Sequence, residues 1–257
     1  MRLGVQLYTL REFTGTRAGF ETSLGRIRDL GYSGVQVSAV GCMNGPNPEL
    51  SPSEAHDLLA AYGLVAPVTH RAWDDLLFRT DEEIAFHKCL GSNHVFLSSA
   101  PPEVHEAGAE GFRSFLAPLR QVFDAMAAES IVFGYHNHAL EFTRETDGLR
   151  PIDVLVGADW LPFELDTYWA HVAGASLPKL IQSLTGRLPI VHLKDVGVYG
   201  GVPGIAPVGE GNLDWDEILP LLAAAGTEWL MVELDTTPRD VFECLASSVE
   251  FLRRRLP

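Results

Sequence analysis

The chain has 257 residues, 46% of them hydrophobic and 21% charged, which is enough apolar material for a sizeable core and argues against disorder. Its formal net charge of −15 would repel a polyphosphate backbone, and its basic run, Arg253-Arg254-Arg255, reads as a solvated last helical turn. Nucleic-acid binding is therefore not expected, nor is a membrane span, because no apolar stretch approaches about 18 residues.

Strand-like runs alternate with helical patterns along the whole chain. The first, LGVQLYTL (3–10), begins almost at the start, where no signal-peptide apolar region is found, so a soluble cytoplasmic protein is expected. SGVQVSAV (33–40) follows. Then Ser51-Pro52-Ser53-Glu54 offers a helix cap, a proline at the first helical position and a capping-box glutamate. LVAPVTH (64–70) is the third run, and Thr80-Asp81-Glu82-Glu83 reads as a second capping box. After HVFLSSA (94–100), the stretch 105–129 spaces Phe112, Phe115, Leu116, Leu119, Val122 and Phe123 by threes and fours, as a helix with one buried face requires. IVFGYHNH (131–138), PFELDTYW (162–169) and PIVHLKD (189–195) come next. The last run is WLMVELD (229–235), with Thr237-Pro238-Arg239-Asp240 as a helix start behind it. Eight β and about eight α units in strict alternation predict a (β/α)8 TIM barrel, a single domain over 1–257. An open doubly wound sheet is the alternative, but no GxGxxG follows the first strand.

Barrel strands are buried on both faces, so alternate residues point to the helices or to the interior. In PIVHLKD, Val191 and Leu193 oppose His192 and Lys194. In WLMVELD, Val232 and Leu234 oppose Glu233 and Asp235, and in PFELDTYW, Phe163 and Leu165 oppose Glu164 and Asp166. Ionisable residues thus collect on the inward face near the C-terminal ends of the last three strands, where barrel enzymes place their chemistry. Burying so many charges costs several kcal/mol each unless a cation or a dense ion-pair network compensates. Asp166, His192 and Glu233 on three consecutive strands suit one divalent ion, Mn²⁺, Mg²⁺, Co²⁺ or Zn²⁺. Cys42, Cys89 and Cys244 stand far apart without CxxC spacing, which argues against a disulfide framework and a thiolate zinc site and fits a reducing compartment.

The segments GVQLYTLRE (4–12), GYSGVQ (31–36), YHNHALEF (135–142), ELDTYW (164–169), HLKD (192–195), VGEGNLDW (208–215) and VELD (232–235) resemble, in their order and spacing, the xylose isomerase-like TIM-barrel superfamily. That group contains sugar-phosphate isomerases and epimerases, inosose dehydratases and AP endonucleases. The resemblance implies one divalent metal held by a Glu, Asp, His and Glu from strands five to eight, and Asp166, His192 and Glu233 match the last three. Many relatives carry glutamate where this chain has Gln36, which puts a charge-dependent role there in doubt.

The fourth ligand lies within YHNHALEF. Many relatives place their strand-five glutamate where this chain has His136, and Glu141 is the carboxylate within reach. Glu141 takes the position if the strand ends or bulges near Asn137. If the strand runs on, His136 or His138 takes it. The histidines left over would line the substrate pocket.

The resemblance also implies abstraction of a proton α to a carbonyl, through an enediolate, by two carboxylates that flank the substrate, Glu141 and Glu233. Lys194 would stabilise the oxyanion or hold an anionic group, with a structural pairing to Asp195 as the alternative. Tyr168 and Trp169 would stack on a sugar ring or else pack as ordinary loop aromatics, and His70 joins the expected pocket, as does Glu210 unless it is a solvated loop carboxylate. The glycine-rich segment 197–204 lacks a P-loop lysine and reads as a lid or connector. The leading expectation is a metal-dependent isomerase or epimerase acting on a small sugar or cyclitol, free or phosphorylated. A dehydratase acting on a keto-cyclitol or 3-keto-glycoside is the alternative, with His136 or His138 as the acid for a leaving hydroxyl. An AP endonuclease would need a basic groove, and a non-catalytic sugar-binding barrel would follow from an incomplete metal site. Pairing into a homo-oligomer near the active-site mouth is a further expectation from the resemblance.

Overall fold

All eight apolar runs form strands in the computed structural model, which describes residues 1–145 and 148–256. They are β1 (Arg2–Gln6), β2 (Gly34–Val37), β3 (Val65–Arg71), β4 (His94–Leu97), β5 (Val132–His136), β6 (Phe163–Asp166) and β7 (Ile190–Leu193), then β10 (Trp229–Val232). A hairpin, β8 (Asp195–Tyr199) and β9 (Val202–Ala206), intervenes before the last. Parallel pairing in the order β1-β10-β7-β6-β5-β4-β3-β2 closes the sheet on itself, so the fold is a TIM barrel and not an open sheet.

Alternation works as the sequence implies. Outward residues such as Val5, Val35, Phe133, Leu165 and Val191 pack with the surrounding helices in the main core. Inward residues divide by height. The lower interior is filled by Val68, Phe96, Ile190, Trp229 and Met231, a separate apolar cluster. Room for it comes from inward glycines: a Cβ on Gly34 would lie 2.7 Å from the Trp229 ring, and one on Gly134 would lie 2.4 Å from Phe96. Above this floor the inward positions turn polar, with Gln6, Gln36, His136, Glu164, Asp166, His192, Lys194 and Glu233 all buried.

Most strands end earlier than their apolar runs, because polar side chains at the upper rim turn the chain into helices. Gln6 accepts from the amide of Tyr8 and opens a 3-10 turn, Leu7–Leu10. Asp166 accepts from the amide of Trp169 and opens the helix Thr167–Val172. Helix starts are mixed. Ser51 and Glu54 form the expected capping box. Thr80 does not cap, since its hydroxyl donates back to the Leu76 carbonyl at 2.7 Å while Glu83 pairs with Arg71. The last helix, Val241–Arg253, starts four residues beyond Thr237, and its cap Asp240 accepts the amides of Phe242 and Glu243. The long amphipathic helix spans Gly108–Ala128, burying Phe112, Phe115, Leu119, Val122 and Met126. Among the described residues, no helix is long and apolar enough to cross a membrane.

The segment 197–204 falls in the β8–β9 hairpin, whose tip exposes Val198, Tyr199 and Val202. Its base is tied down by Asp195. This buried carboxylate accepts from the amides of Val196, Gly209, Gly211 and Leu213 and from the Trp215 indole, at 2.7–3.1 Å. One side chain of HLKD thus holds the whole VGEGNLDW loop. Asp195→Ala orphans these five donors and should lower the unfolding free energy by about 3–5 kcal/mol, read from urea denaturation.

Candidate metal centre and substrate cleft

β6, β7 and β10 bring Asp166, His192 and Glu233 to one point at the upper rim. Register does this: Asp166 pairs with His192, and the Glu233 amide donates to the Leu193 carbonyl at 3.2 Å. Ligand atoms of the three residues lie within 4.8 Å of one another. Asp166 Oδ2, His192 Nδ1 and Glu233 Oε2 are buried and make no hydrogen bond. His192 Nδ1 is 2.7 Å from Glu233 Oε2 and 3.9 Å from Asp166 Oδ2, close to both but not aligned for donation. Two buried carboxylates and an imidazole at one point are a donor set that suits a divalent ion, although the Lys194 ammonium already lies within 3.0 Å of both carboxylates.

Lys194 shares the inward face. Its ammonium donates to both Asp235 oxygens at 3.0 Å, and lies 2.9 Å from Asp166 Oδ2 and 3.0 Å from Glu233 Oε2. Asp195 is not its partner. Deeper in the barrel, Glu164 Oε2 is hydrogen-bonded by His70 Nε2 and by Gln36 Nε2, the latter at 3.2 Å. Gln36 Oε1 accepts from His192 Nε2 at 2.7 Å.

Electrostatics follow from this crowding. Burial opposes charge on His192, yet Glu164 and Glu233 on its two sides raise its pKa to about 10. Burial also opposes charge on Lys194, but Asp166, Glu233 and Asp235 outweigh it and raise its pKa. Glu233 is held below the usual carboxylate range by Lys194 and His192, against burial. Asp166 and Asp235 go the other way because burial dominates; Asp235, also beside Glu233, rises to about 6. Four carboxylates, Glu164, Asp166, Glu233 and Asp235, thus face the two cations His192 and Lys194, a surplus of negative charge that a divalent ion would offset. His136 is pushed well below the ordinary histidine value by burial and by His192, and His138 to about 4 by burial and Lys194.

Some of these groups open onto a cleft of about 520 Å³, whereas Asp166, His192 and Glu164 do not line it. Tyr8, Ser38, Ser98, Ser99, His138 and Trp169 line it higher up, while His70, His136, Lys194, Glu233 and Asp235 reach it from within the barrel. The Trp169 ring lies 5.9 Å from His138 and 5.7 Å from the Lys194 ammonium.

The structure departs from expectation at three residues. β5 does end at His136, as a role for Glu141 as ligand required, and Glu141 follows on the 3-10 turn Leu140–Phe142. Its carboxylate nevertheless joins neither ligand cluster among the described residues. The turn swings it back over its own strand, where Oε1 accepts from the Tyr135 hydroxyl at 2.7 Å and Oε2 from the His138 amide at 2.8 Å. Glu210 lies outside the cleft, paired with Arg239 and Ser247 at 2.5 Å. Tyr168 is buried against Trp169 rather than offered to the cleft. Four residues not singled out beforehand belong to the site: Gln36, Asn137, Glu164 and Asp235. Glu164 and Asp235 already stood on the inward parity. Asn137 gave no such signal; its Oδ1 accepts the Asp166 amide at 3.1 Å, taking the place of a strand carbonyl.

A profile described as xylose isomerase-like TIM barrel matches residues 24–255. The chain belongs to this family. Curated protein sequences contain no significant match. Among solved structures, a sugar phosphate isomerase/epimerase from Parabacteroides distasonis is 19% identical with a TM-score of 0.80, covering 99% of this chain and 94% of its own. The probable 3-DHS dehydratase AsbF from Bacillus anthracis is 12% identical with a TM-score of 0.78, covering 100% of both chains. The IOLI protein with a bound zinc atom is 14% identical with a TM-score of 0.68, covering 99% of this chain and 97% of its own. At these identities the likeness is one of fold. Within this xylose isomerase-like barrel, Lys194 lies within 3.0 Å of both carboxylates of the trio. Replacing Lys194 with methionine should cost the metal-free protein about 3–5 kcal/mol in urea denaturation. Saturating Mn²⁺ should then stabilise the variant more than it stabilises the wild type.

Proposed function

We propose that the protein is a divalent-metal-dependent isomerase or epimerase that moves a proton α to the carbonyl of a small keto-sugar or related cyclitol. The observation that carries this reading is the buried trio Asp166, His192 and Glu233, of which Glu233 opens onto a cleft lined by the hydroxyls of Tyr8, Ser38, Ser98 and Ser99. Asp166, His192 and Glu233 would hold the ion. When bound, it would acidify the carbon acid by withdrawing charge from the carbonyl and its neighbouring hydroxyl.

The chain's own residues divide the remaining work. Glu233 reaches both the ligand cluster and the cleft, and its lowered pKa keeps it ionised as the proton acceptor. Lys194 brings a positive charge to the developing oxyanion. Trp169 supplies an apolar wall, and the serine hydroxyls offer partners to sugar oxygens. Glu141, expected as the second base, instead positions His138 through its backbone amide. The imidazoles of His70, His136 and His138 line the cleft as well.

A dehydratase shares the first step and needs an acid for the departing hydroxyl. With its pKa at about 4, His138 is neutral near pH 7 and therefore a poor donor, which favours isomerisation. Wild-type protein with Mn²⁺ should exchange the α-proton of its keto-sugar with deuterated solvent, followed by NMR, without forming an absorbing enone. Glu233→Gln should abolish that exchange and weaken metal binding; near-normal exchange in this variant would overturn the proposal.

A further inference from the structure

We infer that the barrel contains a second cation site beneath the first, formed by His70, His136, Glu164 and His192 and joined to it through the His192 ring. The four side chains come from β3, β5, β6 and β7, and one ligand atom from each falls within 4.8 Å of the others. The three imidazoles touch one another, with ring centroids 4.5–5.1 Å apart. Glu164 is fully buried among them, and its Oε1 makes no hydrogen bond although His192 Nε2 lies 3.1 Å away. His136 Nδ1 approaches the other oxygen at 3.7 Å. This fully buried carboxylate oxygen, approached but not satisfied, mirrors the three atoms of the upper trio.

The two nitrogens of His192 are assigned to different neighbours. Nε2 faces Glu164 and Gln36, while Nδ1 faces Glu233 and Asp166. One imidazole therefore stands between both ligand sets, and with both cations bound it would bridge them as the imidazolate, its two ring protons released to solvent. Gln36, neutral at this position, acts as a crossbar that donates to Glu164 and accepts from His192. His70 and His136 line the cleft, which gives an ion a path inward. Three imidazoles and one carboxylate select a borderline transition ion such as Zn²⁺ or Co²⁺, whereas the upper set, richer in carboxylate, also accepts Mn²⁺ or Mg²⁺.

The test is metal stoichiometry. Metal-free protein would be loaded with Co²⁺, dialysed and assayed by elemental analysis and visible absorption. Wild type should retain two Co²⁺ per chain. His70→Ala and Glu164→Gln should each retain one and keep the spectrum of the upper site, and Asp166→Asn should retain one with the spectrum of the histidine-rich site. Circular dichroism checks that each variant is folded; His70, at the cleft surface, is the substitution the fold tolerates best. A wild type that binds one ion, lost in Asp166→Asn and kept in His70→Ala, overturns the second site and leaves the proposed function standing. One ion lost in His70→Ala and kept in Asp166→Asn supports the histidine-rich site and overturns the upper one. Two ions retained in both His70→Ala and Glu164→Gln would also overturn the inference.

Discussion

Charge buried inside a closed barrel must be compensated there, and the imidazole of His192 is where that compensation is concentrated. It stands between Glu164 on one nitrogen and Glu233 on the other, with Asp166 beside it. Burying two carboxylates without such a partner would cost several kcal/mol each. The rest of the barrel is arranged around this requirement. An apolar floor of Val68, Phe96, Ile190, Trp229 and Met231 lies below, and the cleft opens on the charges from above. Lys194 supplies the second positive charge, shared among three carboxylates.

Four consecutive residues show how closely scaffold and chemistry are joined. In His192-Leu193-Lys194-Asp195, the first and third face inward to the charged cluster and Leu193 packs outward into the main core. Asp195 turns aside to bind the amides of the following loop. The cleft wall, the trio of Asp166, His192 and Glu233 and the loop above the barrel are thereby tied to a single strand end. Such anchoring favours a preorganised site, with side chains held by packing and ion pairs before a ligand arrives.

Much of the fold was legible in the chain because barrel strands carry two independent signals, an apolar run and a parity. The runs around Val191 and Val232 announced strands, and the positions opposite them announced Asp166, His192 and Glu233 as inward neighbours. Parity fails where a strand stops. Glu141 lies beyond the end of β5, so its direction depends on a turn whose geometry is set by Asn137, Tyr135 and the backbone of His138 rather than by alternation. Glu210 failed for a similar reason: in a loop, the nearest arginine and serine decided its partners. The capping box expected at Thr80 is a milder case, in which tertiary pairing of Glu83 with Arg71 displaced a local motif.

From local periodicity and inward polarity alone, then, came the alternating elements, the barrel and the inward placing of Asp166, His192 and Glu233, because each depends on positions at most a few residues apart. Tertiary structure alone decided the role of YHNHALEF, whose glutamate turned outward while its first histidine joined a cluster with His70, Glu164 and His192. That cluster assembles residues from four strands, and its membership rests on the height at which each strand enters the closed barrel. Register between strands is fixed by closure and packing of the whole sheet, and no segment carries it by itself.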